Sequence, residues 1–501
     1  MAARADIEVE LKFAIGSEGA RVAAGKEVGR APARSVETIY FDTPERQLKS
    51  AGYSLRLRRD GEHWSQSVKS GDGAMNRFEQ DHAVRAGLPD FSLLEGTPIA
   101  SLVKVADRLS PVFVTRVQRR SRRRATEGGR IEFSLDEGEV IAHNKSWPIL
   151  ELELELKGGR AEALFDEGRR LASGEAFTLA FMSKAERGYA LADGILGEPV
   201  KFGSHPLAGE TPCAEAFKIL ARRCLRQLTL NADLIAAGVR LEAMHQARTA
   251  LRRLRVAVGI FGPVVDAVRA EALERELEWL TGELADARNL DVFLIDTFEA
   301  CADQAPDRDA AAALGRQLMT AHHRAYERAR RAVADQRFRL LLLEAAHWLE
   351  GDVTPAIGGE AGRQPVADFA SGALDDRRDT LLKKLGNLDW DDPFERHKTR
   401  IAAKKMRYAS EFFVGLGSND GGGAPRRFIR TLTRLQDDLG ELNDITVARS
   451  LIVDLIDGAE GSKGIGYAAG VMVGYRLAEA RKVARSARRA ARAFKKAKTW
   501  W

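Results

Sequence analysis

"IEVELKFAI", residues 7–15, alternates two kinds of side chain. Ile7, Val9, Leu11 and Phe13 fall on one side of an extended segment, and Glu8, Glu10 and Lys12 on the other, because successive side chains of a strand point to opposite faces. "ILELELELK", residues 149–157, repeats the device: Glu151, Glu153 and Glu155 share one face, and Leu150, Leu152, Leu154 and Leu156 the other. "YSLRLRR", residues 53–59, does so with Arg56 and Arg58. Alternation alone is the ordinary pattern of a half-buried strand. Runs of one sign are less ordinary, since like charges on neighbouring strands repel. Acidic strands then call for a cation and basic strands for an anion. Carboxylates hold hard divalent cations through oxygen, and arginine forks hold phosphate oxygens. A sheet closed with this face inward makes a charged tunnel, with helices covering its apolar outside.

Around these stretches, residues 1 to about 190 read as short strands closed by Gly, Asp or Pro, among them "ETIYFDT", "HWSQSVKSGDG", "RFEQDHAV" and "RIEFSLDEGEV". A helical stretch, "RAEALFDEGRRLAS" (160–173), lies between strands. From about 212 the period changes to 3.6 and stays so to the end. The Gly- and Pro-rich segment between the halves reads as a linker. The expected division is 1–195, a linker at 196–211, and 212–501, the last containing repeats of about 212–350 and 365–495. The repeats rest on gapless pairs. "HQARTALRRLR" (245–255) aligns with "HKTRIAAKKMR" (397–407), and "LEWLTGELADARNLDV" (277–292) with "LTRLQDDLGELNDITV" (432–447).

The ordered set "EVELK", "YFDT", "LRLR", "SVK", "RFE", "TR", "SLDEG", "LELELEL" and "KAERGYAL" resembles the CYTH family, the triphosphate tunnel metalloenzymes. The resemblance covers residues 5–192. It implies an α+β N-terminal domain built on an eight-stranded antiparallel β tunnel with flanking helices. It also implies two divalent cations, Mg²⁺ or Mn²⁺, held by Glu8, Glu10, Glu151 and Glu153 with Asp136 close by. Lys12, Arg56, Arg58, Lys69, Arg116 and Lys184 would hold the phosphate chain; Arg77 and Glu79 match the family's "RFE" segment. The implied reaction is metal-dependent hydrolysis of inorganic triphosphate to pyrophosphate and phosphate by water, with cations neutralising the phosphates. His63 and His82 read as surface or packing residues.

On a helix, His245, Arg248, Arg252 and Arg255 share one face, opposite a stripe containing Leu251, Leu254 and Val258. His397, Arg400, Lys404 and Arg407 repeat it, with Arg253 and Lys405 adjoining. These segments resemble the CHAD family, a duplicated helical domain associated with inorganic polyphosphate, over residues 210–495. The resemblance implies an all-α domain of two duplicated helical bundles. Paired basic faces suit a linear polyanion. Where that family often shows Arg-Asp-x-Asp, "RNLD" has Asn289 and Asp291, and the second copy has Asn443 and Asp444.

A chain of 501 residues exceeds a single core. Its apolar content of 45% and charged content of 30% indicate a globular protein. No apolar run reaches a membrane span, and the first residues lack a hydrophobic signal region. Cys213, Cys224 and Cys301 fit neither a zinc nor a disulfide pattern, so a reduced cytoplasmic setting is expected, with polyphosphate granules as one location. The net charge of +6 hides dense basic clusters at 116–124, 248–255 and 476–501. Aromatic residues do not interleave with them, which argues against specific nucleic-acid binding. The C-terminal basic helix ends in Trp500 and Trp501, which leaves a polyanion or a membrane surface open as its contact. Two other readings stay open: a polyphosphate tether with a silent tunnel, and a tunnel enzyme for thiamine triphosphate or a nucleoside triphosphate, the latter including cyclase chemistry. Oligomeric state is not encoded legibly.

Overall fold

The computed structural model describes residues 6–70, 76–85, 88–94, 97, 99–100, 108–203, 207–302, 305–355, 359–416, 423–457 and 463–501. They form two compact units: Met1–Glu198 with Ala334–Gly351, and Pro199–Val333 with Asp352–Trp501.

Among the described residues the first unit carries nine strands: β1 (Asp6–Ile15), β2 (Arg34–Asp42), β3 (Tyr53–Asp60), β4 (His63–Ser70), β5 (Asn76–Val84), β6 (Ser110–Thr126), β7 (Gly129–Ala142), β8 (Lys145–Gly159) and β9 (Phe177–Leu179). Their order is β5-β4-β3-β2-β6-β7-β8-β1-β9, and β5 also pairs with β1. Eight antiparallel strands thus close into a ring, with β9 appended to β1. Closure leaves no free edge among the eight. The alternation seen in the sequence sorts charge inward and apolar residues outward. Opposite pairs include Lys12 with Glu153, Arg119 with Asp136, Arg58 with Thr38 and Lys69 with Glu79.

The outer face is covered by helices α1 (Glu18–Val28), α2 (Gln47–Ser50) and α3 (Glu162–Gly174). Phe13, Phe133, Leu152 and Leu154 are fully buried beneath them, each contributing roughly 1.5–3 kcal/mol through burial. Helix α4 (Lys184–Ala192) instead packs on the inner face, where Tyr189 meets Phe113 edge-on at 5.0 Å. Gly188 permits this approach, since a Cβ there would lie 2.0 Å from the Phe113 ring. A capping box starts the helix: the Ser183 hydroxyl accepts from the Glu186 N–H, and the Glu186 carboxylate accepts from the Ser183 N–H.

The second unit comprises α5 (Cys213–Ala237), α6 (Leu241–Ile260), α7 (Ala267–Glu283), α8 (Ala285–Phe293), α9 (Glu299–Ala302), α10 (Arg308–Ala334), α12 (Val366–Gly386), α13 (Pro393–Phe413), α14 (Gly423–Asp457) and α15 (Lys463–Lys495). Helix α11 (Gln336–Glu350) belongs to the first unit, although the repeat pattern reads it as the end of the first helical copy. There it packs on α3 and β9: Arg339 donates to the Ala172 carbonyl at 3.0 Å, Arg169 pairs with Glu344, and Phe165 stacks on His347.

Duplication is visible where the helical copies begin. Pro212 and Pro365 precede α5 and α12 and form an antiparallel bridge. The Cys213 N–H donates to the Gln364 carbonyl at 3.0 Å, and the Val366 N–H to the Thr211 carbonyl at 2.8 Å. A ring cluster of Phe217, Phe261, Phe369 and Phe413 joins the copies in a common core. The copies also differ: the segment that breaks at Leu284 between α7 and α8 is continuous in α14. Trp501 is bonded to Asp375 at 2.9 Å and packs edge-on against Phe428. No described helix is long and apolar enough to cross a membrane.

Candidate functional site

The ring encloses a cavity of about 810 Å³ lined by Glu10, Lys12, Arg56, Arg58, Lys69, Arg119, Glu153 and Lys184, among others. Asp136 from β7 and Glu151 and Glu153 from β8 bring carboxylate oxygens within 4.8 Å of one another. Asp136 and Glu151 are almost wholly inaccessible. Lys184 stands over the three acids, 2.6 Å from Asp136 and 2.9 Å from Glu153, and also bonded to Glu151. Arg119 bonds Asp136 through two nitrogens and reaches Glu153 at 2.6 Å. Arg187 reaches Glu151 at 3.2 Å.

Charge balance sets the protonation of this cluster. Burial pushes the Glu153 carboxyl up, but Lys184, Arg119 and Lys12 overcome it and hold it well below the usual carboxylate range. Asp136 is likewise lowered against its burial, by Lys184 and Arg119. Burial opposes the Lys184 ammonium, and the three carboxylates more than compensate, so its value is raised.

A second group lies around β3–β5. Glu79 accepts from Arg56 at 2.8 Å and from Lys69 at 2.5 Å. Lys12 pairs with Glu10 at 2.8 Å. Arg58 differs from these cations in that no carboxylate among the described residues pairs with it; its buried Nε has no hydrogen-bond partner either. The neighbouring Arg56 charge, then burial, then Arg119 lower its value. A half-buried guanidinium with no carboxylate partner, facing the cavity, is costly to leave unpaired, so the site suits an anion.

The structure brings Lys12, Arg56, Arg58, Lys69 and Lys184 together with Glu10, Asp136, Glu151 and Glu153. Glu8 stands opposite Arg77 in the β1–β5 register, and the side chains of both lie outside the described residues. Arg116 is a correction. It points to the outer surface, with 60% of its side chain exposed, and pairs with Glu37 at 2.7 Å. Arg119, three residues on, faces inward instead, as the odd-numbered side chains of β6 do here. Arg119 and Arg187 were missed in the sequence.

In the second unit, α6 and α13 pack against each other. His245, Arg248 and Arg252 from α6 and Arg400 and Lys404 from α13 influence one another's charge. Burial, Arg400 and Arg252 push the Lys404 amine down to about 6. Burial and Arg288 push His245 down to about 4. Arg288 is a further basic residue that the sequence pattern did not single out; it aligns with Asn443 of the second copy, whose side-chain oxygen bonds exposed His397 at 2.6 Å. Asn289 aligns with Asp444, which lies 3.7 Å from Arg400. Arg253 and Arg407 are otherwise occupied. Both pair with Glu411, at 2.9 and 2.7 Å, and both lie over the Tyr408 ring. Arg255 is half-buried and Lys405 exposed. Asp291 is buried and bonded to His322 at 2.9 Å and to the Tyr326 hydroxyl at 3.1 Å, fastening α8 to α10.

Residues 6–189 match the family model of the CYTH domain, and residues 219–453 that of the CHAD domain. A curated relative, an inorganic triphosphatase of Haemophilus influenzae, is 29% identical over 158 residues, 30% of this chain and 44% of the relative. The chain therefore spans less than half the length of that relative. Among solved structures, the CHAD domain from the plant Ricinus communis matches with 26% identity and a TM-score of 0.51, covering 59% of this chain and 96% of that one. PptA from Streptomyces chartreusis matches with 19% identity and a TM-score of 0.45, covering 56% and 99%.

Proposed function

We propose that this chain, a member of the CYTH and CHAD domain families, hydrolyses inorganic triphosphate to pyrophosphate and phosphate in its first unit and binds inorganic polyphosphate in its second. The observation that carries the first part is Arg58, a half-buried guanidinium that lines the cavity without a carboxylate partner among the described residues, inside a closed ring that also holds Arg56, Lys69 and Lys12. A triphosphate supplies the missing negative charge. The relative's name points to the same activity.

Asp136, Glu151 and Glu153 suit a hard divalent cation, since their oxygens lie within 4.8 Å of one another. With Glu10 and Glu8 they are the residues that would hold two ions, Mg²⁺ or Mn²⁺. When bound, such ions would supply Lewis-acid polarisation of phosphate oxygens and a more acidic water. Lys184 and Arg119 bond the oxygens of these carboxylates, so their charge would turn toward phosphate if those oxygens held an ion. Arg56, Arg58, Lys69 and Lys12 orient the chain and offset the repulsion that a triphosphate presents to an incoming nucleophile. Among the described lining residues no His or Cys is present, and the nucleophile in this reading is water attacking the terminal phosphorus.

Of the aromatic residues that could grip a base or thiazole, Tyr40 lines the cavity but is held in a ring stack, and the other two pack on the outer face. Tyr40 stacks on Phe113 at 4.4 Å, and Phe41 and Trp64 belong to the outer-face core. This favours an inorganic substrate. Three buried free thiols suit a reducing, cytoplasmic setting. The test is phosphate release by the full chain from tripolyphosphate, ATP and thiamine triphosphate with Mg²⁺ or Mn²⁺. Preference for tripolyphosphate is expected. Faster release from either organic substrate overturns the substrate assignment, and release from none overturns the activity.

A further inference from the structure

The cations between α6 and α13 share a property that their count does not convey. They are crowded, at least half-buried and short of acids. Arg248 donates to the Thr281 carbonyl and Arg252 to the Thr249 hydroxyl, both neutral acceptors. The side-chain Nε atoms of Arg248, Arg252 and Arg400 are buried without partners. Facing Lys404 are His245, Arg248 and Arg252 from α6, Arg400 from its own helix, and Asp437 and Asp444 from α14. The nearer approach of Asp444 is to Arg400, at 3.7 Å. No carboxylate lies within ion-pair distance of Lys404 among the described residues.

Such a cluster relieves its self-repulsion by losing protons wherever it can. Arginine keeps its proton under all ordinary conditions, whereas a lysine amine in crowded, desolvated surroundings gives its proton up. Lys404 is the one amine among the cations that face each other here, and His245 is the one imidazole. His245 lies deeper on the scale, held down by burial and Arg288. An arriving phosphate chain reverses the balance, because each oxygen it brings favours the charged amine.

Resting on the polyphosphate reading above, we propose that the anion site between α6 and α13 is proton-coupled: it takes up a proton at Lys404 when a phosphate chain binds. The free site then carries less charge than its residues suggest near neutral pH, and the bound site carries the full set. Two consequences follow by linkage. Affinity for phosphate chains rises as pH falls from about 8 towards 6, by up to tenfold per pH unit for one proton. Binding also draws a proton from the buffer.

The experiment is calorimetric titration of long-chain polyphosphate into the full chain near pH 7, without divalent metal, in buffers of different ionisation enthalpy. The slope of observed enthalpy against buffer enthalpy counts protons. About one proton is expected for the wild type, falling towards zero in Lys404→Arg, which keeps a charge that does not titrate. Binding with zero slope in the wild type overturns proton coupling while leaving polyphosphate binding intact. An undiminished slope in Lys404→Arg overturns the assignment to Lys404. Absence of binding overturns the reading on which the inference rests.

Discussion

Arg119 grips Asp136 with both prongs of its guanidinium, Nε to Oδ1 at 2.7 Å and Nη2 to Oδ2 at 2.5 Å, across a register that sets the two residues opposite each other on β6 and β7. Asp136 is completely buried. Removing the arginine leaves a buried carboxylate with Lys184 as its one remaining ion-pair partner among the described residues. Arg119→Ala is expected to lower stability by about 3–5 kcal/mol, read as a shift in the urea midpoint. Arg119→Lys cannot restore the two-pronged contact and should recover only part of the loss. A midpoint unchanged in Arg119→Ala contradicts this.

The same pair predicts a pH response. Asp136 and Glu153 are held below their ordinary values. Their contribution is therefore present above the unfolded carboxylate range, near 4, and is lost as pH falls through the lowered folded values. Urea midpoints should hold down to roughly pH 4 and fall below it. In Arg119→Ala the fall should begin at higher pH, and a profile identical to wild type counts against it.

How much of this was legible depends on whether one face differed from the other. In "EVELK" and "LELELEL" every second residue is charged, so inside and outside separate at once. The segment 110–126 offers no such contrast. Phe113, Thr115 and Val117 alternate with Val112, Val114 and Arg116, and bases then follow on both faces. A shift of one residue would exchange the faces, so only pairing with β2 and β7 assigns Arg119 inward and Arg116 outward. Lys184 was legible through the resemblance of "KAERGYAL" to the family's closing motif. Helix α11 was not, because an apolar helical face does not name its partner.

That helix carries its own prediction. Leu343 is fully buried, and both of its methyl groups crowd Gly168 of α3. Leu343→Ala should cost about 2–5 kcal/mol. Glu344→Ala breaks a half-exposed pair with Arg169 and should cost under about 1 kcal/mol. Equal urea midpoints for the two variants would show that α11 does not seal the first unit.

Asp291 connects α8 to α10 through His322 and Tyr326. Asp291→Ala orphans both groups in a buried setting, at about 1–3 kcal/mol each. Asp291→Asn keeps one acceptor and should lose less. If thermal unfolding of the two variants coincides with wild type, the contact is idle.

The most direct measurement is tripolyphosphate hydrolysis by the full chain with Mg²⁺ or Mn²⁺, comparing wild type, Arg58→Ala and Arg116→Ala. Arg58 lies inside the ring without a carboxylate partner, and Arg116 lies outside on Glu37. Arg58→Ala should lose on the order of a hundredfold or more in kcat/KM, matching the removal of one strong transition-state contact. Arg116→Ala should stay near wild type. Equal rates for wild type and Arg58→Ala, or a loss confined to Arg116→Ala, would contradict catalysis inside the tunnel.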